Sequence, residues 1–469
     1  MSVPRTPWLA LLLVWAALFA GPAWTYLPIL AENPWAILQD DARHFVVWLR
    51  ALGNPELFAG DPMAAFFRAV TPDLYEALYR PAIWLGIDVV AWHMIVLMPA
   101  IAFLALLAME RFVAVFEPDL ALRLSILVVI AAFAHAFYVH GLPRDFALPI
   151  LCLAIFAYAT ARPWLMGAVI GLGAAIYPAA AITAGVGMAL CEAARLIREQ
   201  RLTRQTSAIV LAALAGVLGL LSFVAGSGDT GATFTLAEAR GVPIFQDGAR
   251  TAYFEGGSDL WRISCGNRAG LFAACIPGPL WGLTHAVYGA VILGTLVWLA
   301  RAGRGDWRLL AGLCLGGLIL FAAATALAFE LHLPSRYARW SVQFVAVFGV
   351  AIALSLALAR LLALLRAPRL LAPVILGALV AAAAPGELTR LYGIEVDTAP
   401  GVSAALRAMP ADTVVAGVAG HIDTIPAFTG RSVLAALELS VPYKKAYHAE
   451  MARRVALLAG LWTETEPQA

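Results

Sequence analysis

The chain has 469 residues, of which 62% are hydrophobic and only 13% charged, with a net charge of +2 and a mean hydropathy of +0.82. A soluble domain is about half apolar and a quarter charged, so this composition excludes a water-soluble globular protein and dissolves most of the chain in lipid. The small net charge says little about partners, but the placement of the charges says more, and nothing in it points to nucleic acid.

A span needs roughly 20 apolar residues to cross about 30 Å of hydrocarbon. In chain order the candidates are 8–30, 89–109, 122–139, 146–161, 164–177, 179–194, 207–225, 280–300, 308–329, 340–359 and 370–385, eleven in all. The first follows Arg5 and ends in an interfacial belt of Trp24, Tyr26 and Pro28, which reads as an uncleaved span rather than a signal peptide. The fifth and sixth form one long apolar run broken at Tyr177-Pro178. Proline removes a backbone donor and bends a helix, so the run is either one kinked span or two short ones.

Charge decides between them. Arg195, Arg198, Arg201 and Arg204 form one basic segment, Arg301, Arg304 and Arg308 a second, and Arg360, Arg366 and Arg369 a third. The positive-inside rule puts all three in the cytoplasm with Arg5, Arg111 and Arg162. Two crossings at Tyr177-Pro178 satisfy this for every segment, whereas one crossing would send the three richest outside. The expected fold is therefore an all-α polytopic membrane protein of about eleven transmembrane helices. Its N-terminus is cytoplasmic and its C-terminus extracytoplasmic, as in a bacterial cytoplasmic membrane. No Asp, Glu, Lys or Arg falls in mid-membrane, and His93 and His135 are the nearest exceptions. That absence speaks against an ion-coupled pathway.

The outer face receives residues 31–88, the turn 140–145, the long loop 226–279, the turn 330–339 and the tail from 386. In the first of these, Phe45, Trp48, Leu49 and Leu52 recur at helical spacing until Gly53-Asn54-Pro55 stops them. Asp61-Pro62 opens a second helix, with Met63, Phe66, Phe67 and Val70 on its apolar face. Such helices are expected to lie along the membrane surface. Asp40 and Asp41 sit where the first span hands over to this segment. They read as a general base, as a carboxylate pair holding a metal or an acceptor hydroxyl, or as a helix N-cap; these roles are compatible.

The blocks DDARHFVVW and NPELFAGDP, GLPRDFALP at 141–149, IYP at 176–178, LPSRY at 333–337 and PAFTGRSVL at 426–434 appear in that order across most of the chain. An Asp-Asp pair just after the first span, on a loop of surface helices, resembles the GT-C superfamily of membrane glycosyltransferases. The blocks together are similar to a group of uncharacterised bacterial polytopic membrane proteins with that organisation. The resemblance implies transfer of a sugar from a polyprenyl-phosphate donor to an external glycan, lipid or protein acceptor. It places Asp40 or Asp41 at the catalytic centre and leaves any need for a divalent cation open. Two other readings stand beside it: a lipid-linked-saccharide transporter or flippase, and a non-catalytic scaffold that binds lipid-linked sugars.

A lipid-phosphate donor calls for cations at the interface, and arginine's permanently charged fork suits the leaving phosphate. Arg144 in one short outer turn, and Arg336 and Arg339 flanking Tyr337 in another, are the candidates. Arg43 and His44 lie close to the aspartates, and Tyr177 shapes the groove. The alternative for each arginine is snorkelling to headgroups or pairing with Asp145 or Glu330. In the long loop, Asp247, Arg250, Glu255 and Asp259 are further polar candidates. Cys265 and Cys275 share that loop and would close a disulfide in an oxidising compartment or stay as thiols otherwise. Residues 1–385 are expected to form the transmembrane domain. Residues 386–469 read as helix 402–409, strand 413–418, strand 432–437 and helix 444–462, a small extracytoplasmic α/β domain. Asp423 and Arg431 flank its inter-strand loop. No nucleotide fingerprint occurs.

Overall fold

A computed structural model describes residues 4–134, 138–226, 230–272, 275–276, 278–383, 392–418 and 420–463. It is predominantly helical, with four short strands among the described residues. Among the described residues six helices are long and apolar enough to cross a membrane: Val89–Phe116, Pro178–Glu199, Arg204–Ser222, Leu280–Ala302, Arg308–Ala326 and Ser335–Leu364. The chain is a multi-pass integral membrane protein. Shorter apolar helices include Leu120–Ala134, Pro163–Ile176 and Leu371–Val380, and the first helix runs over Trp8–Glu32. His135 lies outside the described residues.

The Tyr177-Pro178 step reverses the chain. Helix Pro163–Ile176 runs parallel to helix Arg204–Gly226, because Gly167 meets Leu211 and Gly171 meets Ala215. Helix Pro178–Glu199 runs against Arg204–Gly226, since Thr206 near the start of one reaches Glu192 near the end of the other. The two helices that meet at Tyr177 are therefore antiparallel. Glycine makes these crossings close: a methyl group built on Gly219 would overlap the carbonyl oxygen of Gly171, and one on Gly187 would lie 3.0 Å from Leu313 Cα. Small residues let backbones approach where lipid provides no hydrophobic drive between helices.

The two ends of the bundle differ in chemistry. At one end the arginine-rich segments are tied together: Arg111 donates to the Pro4 carbonyl at 2.9 Å and Arg123 to that of Arg5 at 3.1 Å. Arg304 pairs with Glu117, and Arg195 and Tyr158 hold Glu192. Glu110 is fully buried here, between Arg111 and Arg123. Its helix continues to Phe116, beyond the expected span end at 109, and Glu110 lies in that last stretch. Two guanidiniums neutralise it at the helix end.

At the other end every segment expected outside meets. Strand Ile37–Gln39 pairs antiparallel with strand Ile394–Val396, Leu38 opposite Glu395. Asp61 caps helix Pro62–Val70 through the amides of Met63 and Ala64, as its sequence indicates. The apolar face of that helix packs on protein: Phe66 stacks on Tyr447 with ring centroids 3.8 Å apart. In the tail, helix Pro400–Ala408, parallel strands Val414–Val415 and Ser432–Val433, and helix Lys445–Thr463 follow the expected order with much shorter strands. Phe245 of the long loop, Phe329 and Tyr443 form one aromatic cluster.

The close helix crossing gives a direct expectation. Gly219→Leu should lower stability by about 1–3 kcal/mol or more through overpacking, read as a lower Tm in detergent. Gly289→Ala, where nothing lies within 4 Å, should leave Tm unchanged.

Candidate functional site

The acidic doublet is not used as a helix cap. Helix Ala42–Phe45 begins after Asp41, yet no Asp41 side-chain bond caps it. The Gln39 amide oxygen accepts from Ala42 N at 2.9 Å instead. Both carboxylates are thus left to side chains, and they face different ways.

Asp41 pairs with Arg144, and His44 Nδ1 lies 3.7 Å from it. Burial alone would raise the Asp41 carboxyl, but Arg144 and His44 outweigh it and bring it down to about 2. The turn that delivers Arg144 is built around Asp145, fully buried and accepting from the amides of His140 (2.8 Å) and Leu142 (3.2 Å). Gly141 in that turn has φ +74°, and a methyl group there would lie 2.9 Å from His93. Only glycine fits this position.

Beyond Arg144 lies a group of cations. The charges acting on Arg336 are Arg144 and Arg268, together with the phenols of Tyr177 and Tyr443. The same two arginines, Arg336 and Tyr177 act on Arg339. Among the described residues no carboxylate pairs with Arg336. Its turn is strained, with Phe329 at φ 68° and His332 at φ 62°. A π-helical turn over Arg339–Gln343 then re-aims the following helix. Strained turns and π-bulges concentrate at functional sites. Tyr177 accepts from Trp340 Nε1 at 3.4 Å. The structure therefore gathers Arg144, Arg336, Arg339 and Tyr177 into one neighbourhood, and Arg336 is not paired with Glu330.

Asp40 faces the other way. Its amide is bonded to the Gly393 carbonyl, and its carboxylate pairs with Arg43, which also reaches Glu395 at 2.7 Å. Asp40 lines a cavity of about 520 Å³ between the first outer segment and the tail. Five carboxylates border it (Asp40, Glu395, Asp397, Asp423 and Glu438), with Arg43 the bordering guanidinium. His421, Ser403, Thr424 and the apolar Val402, Ile425 and Phe428 also stand in the wall. Burial raises the carboxyls of Glu395 and Asp423, with Arg43 opposing both. Asp423 also accepts from Glu438 N at 3.0 Å, and Glu438 pairs with Arg250. Among the described residues no group of three or more His, Cys, Asp or Glu is arranged to hold a metal ion.

The other candidates have structural work. Asp247 accepts from the amides of Gly248 and Gly256, Glu255 from Asn267 N, and Asp259 pairs with Arg240 and Arg262. Arg431 is buried and donates to the carbonyls of Arg407 and Met409, which ties the tail's inter-strand loop down. Sequence reasoning missed Glu395, Glu438, Arg268 and Tyr443, none of which belongs to a motif; only the strand pairing and loop packing bring them in. No protein-family model matches this sequence, and no curated protein matches it.

His44 sets a pH dependence. Burial pulls its imidazole down to about 4, with Asp41 opposing and Arg250 and Arg43 adding, and its Nε2 lies 2.8 Å from the Glu438 carbonyl. Between about pH 6.5 and 4 the unfolded chain takes up a proton that the folded chain refuses, so stability is lost as pH falls through this window. His332, brought down to about 3 by burial and by Arg336 and Arg268, acts in the same sense. Asp41 adds stability that fades only below about pH 4. The Tm in detergent should decline from about pH 7 to pH 5, and His44→Gln should flatten part of that decline. An identical slope in the variant would count against the assignment.

Proposed function

We propose that this protein is an integral-membrane glycosyltransferase of GT-C type. It crosses a bacterial cytoplasmic membrane eleven times and transfers a sugar from a polyprenyl-phosphate donor to an extracytoplasmic acceptor. The observation that carries the reading is the division of the doublet: Asp41 faces a cluster of arginines, and Asp40, its neighbour, borders an acidic cavity. Phosphate is attracted to the first environment and repelled by the second. Hydroxyl groups are well received by carboxylates, so the cavity suits a polyhydroxylated acceptor.

The reaction is a direct displacement. The acceptor oxygen attacks the anomeric carbon while the bond from that carbon to the phosphate oxygen breaks, and the electron pair leaves with the phosphate. Asp40, oriented by Arg43, takes the hydroxyl proton. Arg144, Arg336 and Arg339 meet the charge that accumulates on the phosphate, which rises from one to two. Asp41 is a weak base at its lowered pKa; its part is to hold Arg144 in place.

The clustering of residues 31–88, 140–145, 230–272, 329–339 and 392–447 at one end, away from the arginine-rich segments, supports the sidedness. So does the Cys265–Cys275 disulfide, since such bonds persist in oxidising compartments.

The test is release of polyprenyl phosphate from a panel of polyprenyl-phosphate sugars by the purified protein with a mixed lipid-glycan acceptor extract. Asp40→Asn should slow release by roughly 100-fold or more, the usual range for loss of a general base. Asp41→Asn should lower kcat as well as raise KM, through misplacement of Arg144, which meets the developing charge. A folded Asp40→Asn protein with undiminished turnover would remove the role given to Asp40.

A further inference from the structure

The long outer loop supplies a cation that the mechanism above leaves unused. Cys265 and Cys275 are bonded, and Arg268 lies within the ring they close. The ring is pinned to the helix that bears Arg336 and Arg339: Ser335 N donates to the Arg268 carbonyl at 3.3 Å, and Gln343 Nε2 to the Leu271 carbonyl at 2.8 Å. The Arg268 side chain donates from Nη1 to the Tyr443 hydroxyl at 3.0 Å and from Nη2 to the Arg250 carbonyl at 3.2 Å. Both acceptors are neutral. Among the described residues no carboxylate pairs with Arg268, while its charge acts on Arg336, Arg339 and His332. A guanidinium has five N–H donors, so most of this fork is unspent. Like charges held together repel, and an anion between them removes that cost.

We propose that Arg268 is a further phosphate ligand of this site, held in position by the Cys265–Cys275 ring, and that the completed site is matched to a prenyl phosphate monoester carrying two negative charges. This rests on the reading of the arginine cluster as the donor-phosphate site. The charges support it: Arg144 is paired with Asp41, while Arg268 and Arg336 have no carboxylate partner among the described residues, which leaves two positive charges without a counter-charge. A donor phosphodiester cancels one of them. The departing monoester cancels both, so the site favours the charge that develops in the reaction over the charge that arrives.

The experiment compares binding of decaprenyl phosphate and of its methyl phosphodiester to the full-length protein in nanodiscs, near pH 8, where the monoester is doubly charged (second pKa about 6). The wild type should hold the monoester roughly tenfold more tightly than the diester, one charge-assisted contact's worth of discrimination. Arg268→Gln should bring the two affinities together at unchanged Tm. Wild-type protein reduced with dithiothreitol, which needs no substitution, should lose the same discrimination. If the wild type binds neither lipid, the arginine cluster is not a prenyl-phosphate site, and this inference falls with the functional reading. If the wild type discriminates and Arg268→Gln does so equally, or weakens both lipids alike, the Arg268 assignment is overturned while the functional reading stands. Discrimination that survives reduction would overturn the positioning role of the ring.

Discussion

The pairing of Ile37–Gln39 with Ile394–Val396 is the constraint on which the site depends. It joins segments from the two ends of the sequence: the Gln39 side-chain amide donates to the Tyr392 carbonyl, 353 positions away, and the Asp40 amide is bonded to Gly393. A strand paired over three residues cannot slip by one without turning every side chain to the other face. With Gln39 held there and its side chain capping the next helix, Asp40 must emerge toward the tail and Asp41 toward the 140–145 turn. The division of the doublet follows from backbone pairing.

That division separates two fields that would otherwise cancel. The arginines collect against Tyr177, Tyr443 and Asp41, while the carboxylates collect around Arg43. Charges this close to a membrane are costly unless paired or solvated, and at the opposite end of the bundle they are paired: Glu110, Glu117 and Glu192 each have guanidinium partners. The end bearing the doublet is different in that Arg336 and Arg268 have no carboxylate partners among the described residues. An arrangement that retains repulsion at one end and relieves it at the other is suited to a ligand that arrives with the missing charge.

Much of the fold was legible because lipid imposes its constraint residue by residue. A run of apolar residues names a span without reference to the rest of the chain. Asp61-Pro62 announces a helix start by local chemistry alone. The reversal at Tyr177-Pro178 was decided by charge counting and is found in the helix directions. The candidates on short turns, Arg144 and Arg336, were legible for the same reason, since a short turn leaves a side chain few places to go. Glu395, Glu438 and Arg268 were not legible. Their position depends on a strand pair formed across almost the whole chain and on a loop folded against Tyr443, and neither leaves a local periodicity. The helix expected over 89–109 continues to Phe116, where Arg111 and Arg123 neutralise Glu110.

The central claim is that the doublet, the arginine cluster and the tail share the outer face, opposite the arginine-rich loops. Single cysteines placed at Val402 in the tail and at Leu202 in the loop after helix Pro178–Glu199, both exposed, report this directly in a background where Cys152, Cys191 and Cys314 are replaced. With a membrane-impermeant maleimide and right-side-out vesicles, the account predicts labelling at 402 without permeabilisation and at 202 only after it. Labelling of both positions under the same condition would contradict it.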